Sequence, residues 1–291
     1  MLTPKNITLI IHETIISIYL TFERIAIVNP FISKYFKYMK SKIILKKNEE
    51  RRILTGHLWI FSNEIKRIEG APQAGDIIEI YHSDGKFLGV GLYNPRSLIA
   101  VRMLSTEREV INNDFFKKRI LKALELRKKI YTDTNSYRLV YGESDFLPGL
   151  IIDRYEDCFS IQTFSAGMEN FIPIIVEILQ SLFKLKTIVK RNESPLRTLE
   201  HLPLEKGILI GTDIQPRIKE HNIIFEIDLI DGQKTGFYLD QRENRLLFRR
   251  FVKDTDVLDI FCNDGGFTLN SYLGGAKSTI NRHFRICCTT G

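Results

Sequence analysis

The sequence predicts a multidomain protein of mixed α/β and α+β class, in which a small β-barrel and an α+β middle domain precede an open α/β sheet. Three observations predict this order. Short apolar runs separated by tight turns fill residues 42–104, helical and strand-like segments mix between 113 and 222, and a buried-type strand enters a glycine turn and a helix at 257–267. Parallel strands buried on both faces have short apolar runs of this last kind. The predicted domains span 40–112, 113–222 and 223–291, after an extension at 1–38.

Composition and charge narrow the function classes. With 291 residues and 44% hydrophobic content, the chain can build two or three folded domains, and its composition does not favour disorder. A formal net charge of +7 suits a polyanionic partner, since Lys and Arg that neutralise phosphates release counterions. The cysteines have neither C-x-x-C spacing nor neighbouring histidine clusters, so we expect no metal site and no disulfide framework. They are Cys158, Cys262, Cys287 and Cys288.

The N-terminal segment is apolar but does not resemble a membrane span. His12 and Glu13 interrupt the stretch from Ile7 to Leu20, and the remaining apolar runs are far shorter than the about 20 residues that a spanning helix needs. Asn29-Pro30-Phe31 does not provide the small-residue cleavage site of a secretory signal. We therefore expect a cytoplasmic protein with no membrane partner.

Residues 42–104 carry the signals of a small barrel. Ile77–Tyr81 and Phe87–Leu92 are apolar runs joined through Asp84-Gly85, and Gly accepts the positive φ that a tight hairpin turn requires. A second strand pair is predicted around Asn94-Pro95, continuing into Ser97–Met103. Several short strands within sixty residues favour a closed or curled sheet.

The middle region alternates helices and strands. Asn113-Asp114 is predicted to cap a helix that runs to about Tyr131, with an apolar face and a basic face. A second helix is predicted over Met168–Phe183. Strands are predicted at Leu150–Asp153, Phe159–Phe164, Thr187–Arg191 and Ile208–Ile210.

The most informative segment is Val257–Phe267, a strand followed by an abrupt glycine turn and the start of a helix. Ligands of open α/β sheets lie just beyond the carboxyl ends of the strands. At Gly265 and Gly266 a side chain would block close approach of the backbone or forbid a positive φ. Because no G-x-G-x-x-G follows the strand, a nicotinamide or flavin enzyme is disfavoured. Such a turn also occurs in ordinary strand-to-helix corners.

A second polar block supports the interpretation of this turn as a site. Asp231–Arg245 is dense in polar groups, yet it follows the strand-like run Ile223–Ile230 and leads into a helical run. Within it, Gly232–Arg242 is close to the pattern G-Q-K-T-G-F-x-L-D-Q-R, and Asp259–Phe267 is close to D-x-F-C-x-x-G-G-F. Together the two blocks resemble the S-adenosylmethionine-dependent methyltransferases that make 5-methylcytosine in large-subunit (23S) ribosomal RNA, the group with an N-terminal PUA domain.

The resemblance extends back through Gly142–Tyr155 and Gly56–Ile65, and it covers roughly residues 42–278 in the family's order. It implies a PUA-like barrel, an α+β middle domain and an incomplete Rossmann-like methyltransferase domain that binds S-adenosyl-L-methionine. Because it begins only near Lys42, it favours Met39 as the initiator. The implied cofactor-binding residues are Phe237, Asp240, Gln241, Arg242, Asp259, Phe261, Asn263, Gly265, Gly266 and Phe267.

Two positions within this set leave alternatives open. Asp240 and Arg242 would also fit a surface pair at a helix start, where an acid favours the positive end of the helix dipole. Asp264 stands where the family usually has Thr, and an extra carboxylate there would repel the carboxylate of a bound methionine moiety.

The resemblance also implies 23S ribosomal RNA as the partner, and a homodimer is a possible assembly. PUA domains bind structured RNA, and the candidate contact residues are Arg51, Arg52, His57 and Trp59. Trp59 is equally interpretable as a core aromatic residue, and His57 as a turn residue. The basic face of the 113–131 helix is either solvated or lies against RNA.

Methylation of cytosine carbon 5 requires a cysteine thiolate that adds to carbon 6 and makes carbon 5 nucleophilic. In the family this cysteine follows later motifs, whereas Cys262 fits a small buried residue behind the cofactor. We therefore assign no catalytic residue. A non-catalytic RNA-binding protein that uses only the PUA-like and middle domains is the alternative.

The end of the sequence departs from the family pattern. After Ser278 we expect an apolar second strand ending in an acidic residue that binds the ribose hydroxyls. Residues 279–291 contain no Asp or Glu and no apparent strand-like run. The interpretation is an aberrant tail from about 279, through a frameshift or premature end, and an inactive chain that lacks its catalytic half.

Overall fold

A computed structural model describes residues 41–281. The expectations for the 1–38 extension, for Met39 and for the tail beyond Asn281 lie outside these residues. The chain divides into two compact units, one ending at Glu109 and the other beginning at Val110. Among the described residues, no helix has the length and apolar character needed to cross a membrane.

The first unit is built on one six-stranded sheet. Its order is β2-β6-β5-β4-β1-β3, with the β1–β4 pair parallel and the other pairs antiparallel. The predicted hairpin is confirmed between β4 and β5, where Gly85 has a φ of 92°. The strands are β1 Lys42–Leu45, β2 Trp59–Ile60, β3 Ile65–Glu69, β4 Ile77–Tyr81, β5 Phe87–Tyr93 and β6 Val101–Ser105, with one short helix, α1 Arg51–Leu54.

The core of this unit is a cluster of mainly aliphatic side chains from the sheet and from α1. Ile43, Ile78 and Ile80 are fully buried, and Ile53 of α1 packs into the same cluster. Period-two alternation in short strands places such side chains on one face. The second predicted strand pair begins later than expected, since β6 starts at Val101 and not at Ser97.

The second unit begins with a five-stranded sheet of order β11-β10-β9-β8-β7. All its neighbours are antiparallel except β9 and β10, which run parallel. The strands are β7 Ser136–Tyr141, β8 Leu150–Tyr155, β9 Cys158–Thr163, β10 Thr187–Asn192 and β11 Glu205–Ile210, and the helices are α2 Asn113–Ile130, α3 Ala166–Glu169 and α4 Ile172–Leu182.

Two helix predictions need correction. The cap of α2 is Asn112, whose side-chain oxygen accepts the Phe115 N–H at 3.1 Å, and not Asn113-Asp114. The single helix predicted over Met168–Phe183 is two helices. Ser165 caps α3 at its N-terminus, and α4 starts anew at Ile172 with Pro173 in its first turn, where proline is tolerated.

The remaining elements carry the polar block and the glycine turn. The strands β12 Arg217–Glu220 and β13 Ile223–Glu226 form an antiparallel hairpin, and β14 Asp256–Asp259 pairs in parallel with β15 Ser278–Asn281. The helices are α5 Arg242–Phe248 and α6 Gly266–Leu273. The domain boundary predicted at 222–223 falls at the turn between β12 and β13. The three predicted domain ranges stay a prediction.

The prediction that residues 279–291 contain no strand-like run is wrong for residues 279–281, which belong to β15. Ser278–Asn281 lies beside β14 in register, with Leu258 opposite Ile280. Hydroxyl groups reinforce the ladder, because Ser278 donates to Asp256 at 2.7 Å and Thr279 lies 2.8 Å from the Ser271 hydroxyl. A parallel ladder depends on main-chain groups, so a short polar edge strand forms without a long apolar run.

Candidate functional site

A cavity of about 770 Å³ lies between the polar block and the glycine turn. Its walls come from the stretch after β13, from α5, and from the loop that joins β14 to α6. The lining side chains are Gln233, Lys234, Phe237, Tyr238, Gln241, Arg245, Ile260, Phe261, Cys262, Asn263, Asp264, Gly266 and Phe267.

The polar block is anchored to the five-stranded sheet by buried hydrogen bonds. The Thr235 hydroxyl donates to the Asp153 carboxylate at 2.6 Å and lies 2.8 Å from the Tyr155 hydroxyl. The Tyr155 hydroxyl also accepts the Phe237 N–H at 3.3 Å. Burial, followed by the charge of Asp153, raises the pKa of Tyr155 far above its usual range, so it stays a neutral phenol. These contacts fix the backbone that carries the Phe237 ring.

The start of the block is held by Arg191 of β10. Its guanidinium donates to the carbonyl oxygens of Leu229 at 2.7 Å and Gly232 at 2.9 Å. A Cβ at Gly232 would lie 2.2 Å from the Asp228 carbonyl oxygen, so only glycine fits this turn. The turn therefore depends on both the glycine and the buried arginine.

Arg245 joins the two walls of the cavity. This side chain of α5 is 3% exposed, and its guanidinium donates to both carboxylate oxygens of Glu220 at 2.6 Å. It also donates to the Tyr238 carbonyl at 3.0 Å. A Cβ at Gly266 would lie 2.8 Å from the Arg245 Cδ, so the glycine permits the close approach of α6 to this arginine.

The glycine turn itself has the geometry that the sequence predicts. Gly265 precedes α6 with a φ of 73°, and its N–H donates to the Cys262 carbonyl at 2.7 Å. Thr268 of α6 donates to the Asp259 carboxylate at 2.7 Å and ties the end of β14 to the helix. The turn therefore presents backbone and small groups to the cavity, while Phe261 projects with 91% of its surface exposed.

The structure brings six of the ten predicted cofactor residues to the cavity wall. They are Phe237, Gln241, Phe261, Asn263, Gly266 and Phe267. Asp259 instead accepts a hydrogen bond from Thr268, and Gly265 is not among the lining residues. That these six residues bind the cofactor stays a prediction.

Asp240 and Arg242 do not line the cavity. Asp240 is exposed and pairs with Lys234 at 3.0 Å, whereas the surface alternative expects Arg242 as its partner. Arg242 is 4% exposed and donates to the Ser136 carbonyl, and its Nε lies 3.8 Å from the Glu220 carboxylate. A surface pair between Asp240 and Arg242 is therefore wrong, because the arginine turns inward to join the polar block to β7.

Sequence reasoning missed several lining residues. Gln233, Lys234, Tyr238 and Arg245 belong to the polar block that the sequence singles out, and Ile260, Cys262 and Asp264 belong to the turn. The available signal for Arg245 is its spacing from Gln241. Residues four apart share one face of a helix, so the two side chains were predictable neighbours.

Asp264 adds a carboxylate to a cavity that Lys234 and Arg245 also line. Burial raises the pKa of this carboxyl, while its own backbone N–H and the positive charge of Arg245 act in the opposite direction. Asn263 donates an amide N–H to it at 2.6 Å. The carboxylate is therefore partly desolvated, with the positive charge of Arg245 partly offsetting the effect of burial.

Replacement of Asp264 by asparagine is expected to stabilise the protein at neutral pH. A raised folded-state pKa means that the native state binds the proton more readily than the unfolded chain, so the ionised group opposes folding above that pKa. This cost disappears as the pH falls through the raised pKa towards 3.8. Urea unfolding at several pH values should give Asp264→Asn the higher stability near neutrality and a narrowing difference in acid. A wider difference in acid would contradict the assignment.

Three of the four predicted RNA-binding residues form one cluster in the first unit. Arg52 donates to Glu64 at 2.9 Å and its Nη2 lies 2.9 Å from the His57 Nε2. The rings of His57 and Trp59 meet edge to face at 5.7 Å. Arg51 is exposed beside them.

Trp59 is half-buried and lies outside the core cluster, with the Arg102 guanidinium 5.6 Å from its ring centroid. His57 follows Gly56, which has a φ of 93°, and its N–H closes a turn on the Arg52 carbonyl, as the turn alternative expects. An RNA-binding role for these side chains stays a prediction.

Comparisons with known proteins agree with this architecture. Residues 43–106 match the family model of a PUA-like domain. The chain is 40% identical over 248 residues to ribosomal RNA large subunit methyltransferase I of Vibrio vulnificus, covering 84% of this chain and 62% of that protein. The enzyme of the same name from Pseudoalteromonas translucida is also 40% identical, with 84% and 63% covered.

Solved structures share the fold at lower identity. A methyltransferase complexed with SAH superposes with a TM-score of 0.70 at 21% identity, covering 82% of this chain and 62% of that one. A candidate SAM-dependent methyltransferase from Streptococcus mutans gives 0.68 at 21% identity, with the same coverage. The chain thus spans less than two thirds of the length of these relatives.

The predicted fold class is confirmed by these matches. The first unit contains a PUA-like domain, and the described part of the second unit follows the mixed α/β architecture of methyltransferase structures. The chain has a PUA-like domain and a methyltransferase fold, and over most of its length it is similar to ribosomal RNA large subunit methyltransferase I.

Proposed function

We propose that this chain binds S-adenosyl-L-methionine in the cavity between the polar block and the glycine turn, and that it serves methylation of cytosine carbon 5 in 23S ribosomal RNA. The observation that carries the proposal is the convergence of Gln233–Arg245 and Ile260–Phe267 on one cavity. In the sequence each of these two blocks places polar residues after an apolar run. The similarity to ribosomal RNA large subunit methyltransferase I supports the choice of substrate.

The residues present fit the chemical groups of the methyl donor. A cavity of about 770 Å³ lies within the size range of small-molecule pockets. Phe261 and Phe267 offer aromatic rings to an adenine ring and to a sulfonium cation, while the buried ring of Phe237 lies in the wall with the Arg245 guanidinium 4.7 Å from its centroid. Lys234 offers donors to a carboxylate, and the amides of Gln233 and Gln241 can bind hydroxyl or ammonium groups.

Two features of the cavity wall, at Gly266 and at Phe261, also bear on how a ligand fits. Gly266 lies in the wall, and a Cβ there would already meet the Arg245 side chain. Phe261, at 91% exposure, is an aromatic side chain left uncovered beside the cavity. If an apolar surface of a ligand packed on the Phe261 ring, both the ring and that ligand surface would be removed from water, which is favourable.

When bound, S-adenosyl-L-methionine supplies an electrophilic methyl group. The chain's own residues would hold and orient this donor: the Arg245–Glu220 pair ties α5 to β12, and the Thr235–Asp153 bond ties the polar block to β8. Asp264 opposes an anionic group at the turn, so it lowers affinity at neutral pH.

Neither cysteine among residues 41–281 is assigned as the nucleophile of cytosine methylation. Burial raises the pKa of Cys158 to about 11, so its thiol stays protonated near neutrality. Cys262 lines the cavity but is 6% exposed and lies within the turn. The proposal therefore assigns binding and orientation to these residues and leaves the nucleophile unassigned.

Equilibrium dialysis of the full chain against radiolabelled S-adenosyl-L-methionine tests the proposal. We expect saturable binding at one site per chain with a dissociation constant in the micromolar range. S-adenosylhomocysteine should compete, whereas NAD should not. Absence of retention, or equal competition by NAD, would overturn it.

The same preparation should bind ribosomal RNA in a salt-dependent manner, because basic side chains that neutralise phosphates release counterions. RNA binding without any retention of the methyl donor would favour the alternative of a non-catalytic RNA-binding protein. An affinity that does not change with salt would remove the argument from basic charge.

A further inference from the structure

An exposed aromatic side chain that does not line the cavity lies beside the most basic helix of the second unit. Phe146 follows the 3-10 helix Gly142–Asp145 and has 51% of its surface exposed. We propose that Phe146, with Arg119 and Lys122 of α2, forms a stacking platform for an unpaired base of single-stranded RNA. This inference rests on the proposed function for its choice of ligand.

Two cations flank the Phe146 ring. The Arg119 guanidinium lies 5.9 Å and the Lys122 ammonium 6.0 Å from the ring centroid. Arg119 also donates to the Phe146 carbonyl at 2.7 Å and lies 4.3 Å from the Phe115 centroid, which fixes its position. A base stacked on the ring would bring its phosphate near one of these cations, as single-strand binding proteins require.

The backbone at Phe146 does not favour a large aromatic residue. Its φ of 58° is in the left-handed region, which Asn or Gly adopts more readily. Since the side chain is also half exposed, neither turn chemistry nor core packing explains the ring. A strained residue that the surroundings maintain is an indication of function.

The surroundings do maintain it. Asp145 receives two hydrogen bonds from the Arg127 guanidinium, at 2.5 and 2.6 Å, and accepts the Tyr141 N–H at 2.6 Å. The Phe146 N–H donates to Glu143 and the Leu147 N–H donates to Gly142. A ring presented on such a fixed turn loses little conformational entropy when a base stacks on it.

The charge around the ring favours nucleic acid over protein. Helix α2 carries seven basic and two acidic residues, and Lys118, Lys122 and Lys129 are exposed. The acids nearest in sequence are Asp145, which pairs with Arg127, Glu143 in the turn and Glu125 on α2, so the seven basic residues of the helix leave this surface positive. Lysine is depleted in protein–protein interfaces, whereas basic side chains with interleaved aromatic rings are typical of single-strand binding surfaces.

Phe146→Asn separates stacking from folding, because asparagine suits the left-handed backbone. Fluorescence anisotropy measures binding of the full chain to a fluorescein-labelled twelve-nucleotide oligoadenylate. The same measurement is made with the duplex that this oligoadenylate forms with oligouridylate. We expect Phe146→Asn to weaken single-strand binding about 5- to 100-fold and to change duplex binding less than about twofold. Phe146→Trp should keep the affinity, and Lys122→Gln should lower the salt slope by about one.

The matched control is Phe251→Asn, which removes a ring that is 71% exposed elsewhere in the unit. It should leave RNA binding unchanged, and thermal unfolding should show Phe146→Asn at least as stable as the wild type. Equal single-strand affinity for Phe146→Asn and wild type would overturn the proposal. It would also be overturned if Phe146→Asn lost self-association and kept its RNA affinity, because the ring would then serve a protein contact. Phe146→Asn should retain S-adenosyl-L-methionine in the dialysis experiment as the wild type does. Failure of the stacking proposal can therefore be distinguished from failure of the proposed cofactor site.

Discussion

Replacement of Glu220 by alanine is expected to destabilise the second unit by about 3–5 kcal/mol, the largest effect that the structure predicts for a single side chain. Glu220 and Arg245 have side chains that are 2% and 3% exposed and share two hydrogen bonds of 2.6 Å. Arg242 lies 3.8 Å from the same carboxylate. Removing Glu220 would therefore leave two buried guanidinium groups without their anion.

Urea unfolding of the full chain measures this effect. Glu226→Ala is the matched control, since its pair with Arg217 joins neighbouring strands at side-chain exposures of 56% and 75%. An exposed pair contributes at most about 1 kcal/mol. The double variant Glu220→Leu, Arg245→Met should recover part of the loss, because it buries neither charge of the pair. A cost for Glu220→Ala no larger than that for Glu226→Ala would contradict the account.

Replacement of Gly266 by valine is expected to weaken S-adenosyl-L-methionine binding by about 100-fold or more, equivalent to about 2.7 kcal/mol. A Cβ at this position would lie 2.8 Å from the Arg245 Cδ and 3.4 Å from its Nε. Because Glu220 holds that guanidinium, the arginine cannot move away without breaking a buried ion pair. The valine methyl groups would then occupy the wall of the cavity.

Equilibrium dialysis checks this prediction against Gly207→Val. A Cβ at Gly207 would meet nothing within 4 Å, so the control adds the same atoms in open space on β11. The control should bind the methyl donor as the wild type does. Undiminished binding by Gly266→Val would show that the ligand does not approach this turn.

Local sequence patterns predicted the elements that depend on local chemistry. The Asp84-Gly85 hairpin and the turn before α6 both have a positive φ at glycine. The glycine in the sequence predicts this backbone angle, because other residues rarely adopt it. The two blocks of the cavity were also predictable, since each places polar residues after an apolar run.

The direction of individual polar side chains was not predictable. Gln241 and Arg242 are neighbours, yet one lines the cavity and the other is buried against the Ser136 carbonyl. That choice depends on β7 and on Glu220, which lie 106 and 22 residues from Arg242 along the chain. Strand β15 was missed for a similar reason, because its pairing with β14 is provided by backbone groups of a distant segment.

The central claim is that the methyl donor lies between the polar block and the glycine turn. A crystal structure of the full chain soaked with S-adenosylhomocysteine tests it most directly. We predict ligand density bounded by Phe237 and Gln241 on one side and by Phe261 and Gly266 on the other. Density for the ligand elsewhere on the chain, with this cavity filled by side chains, would contradict the claim.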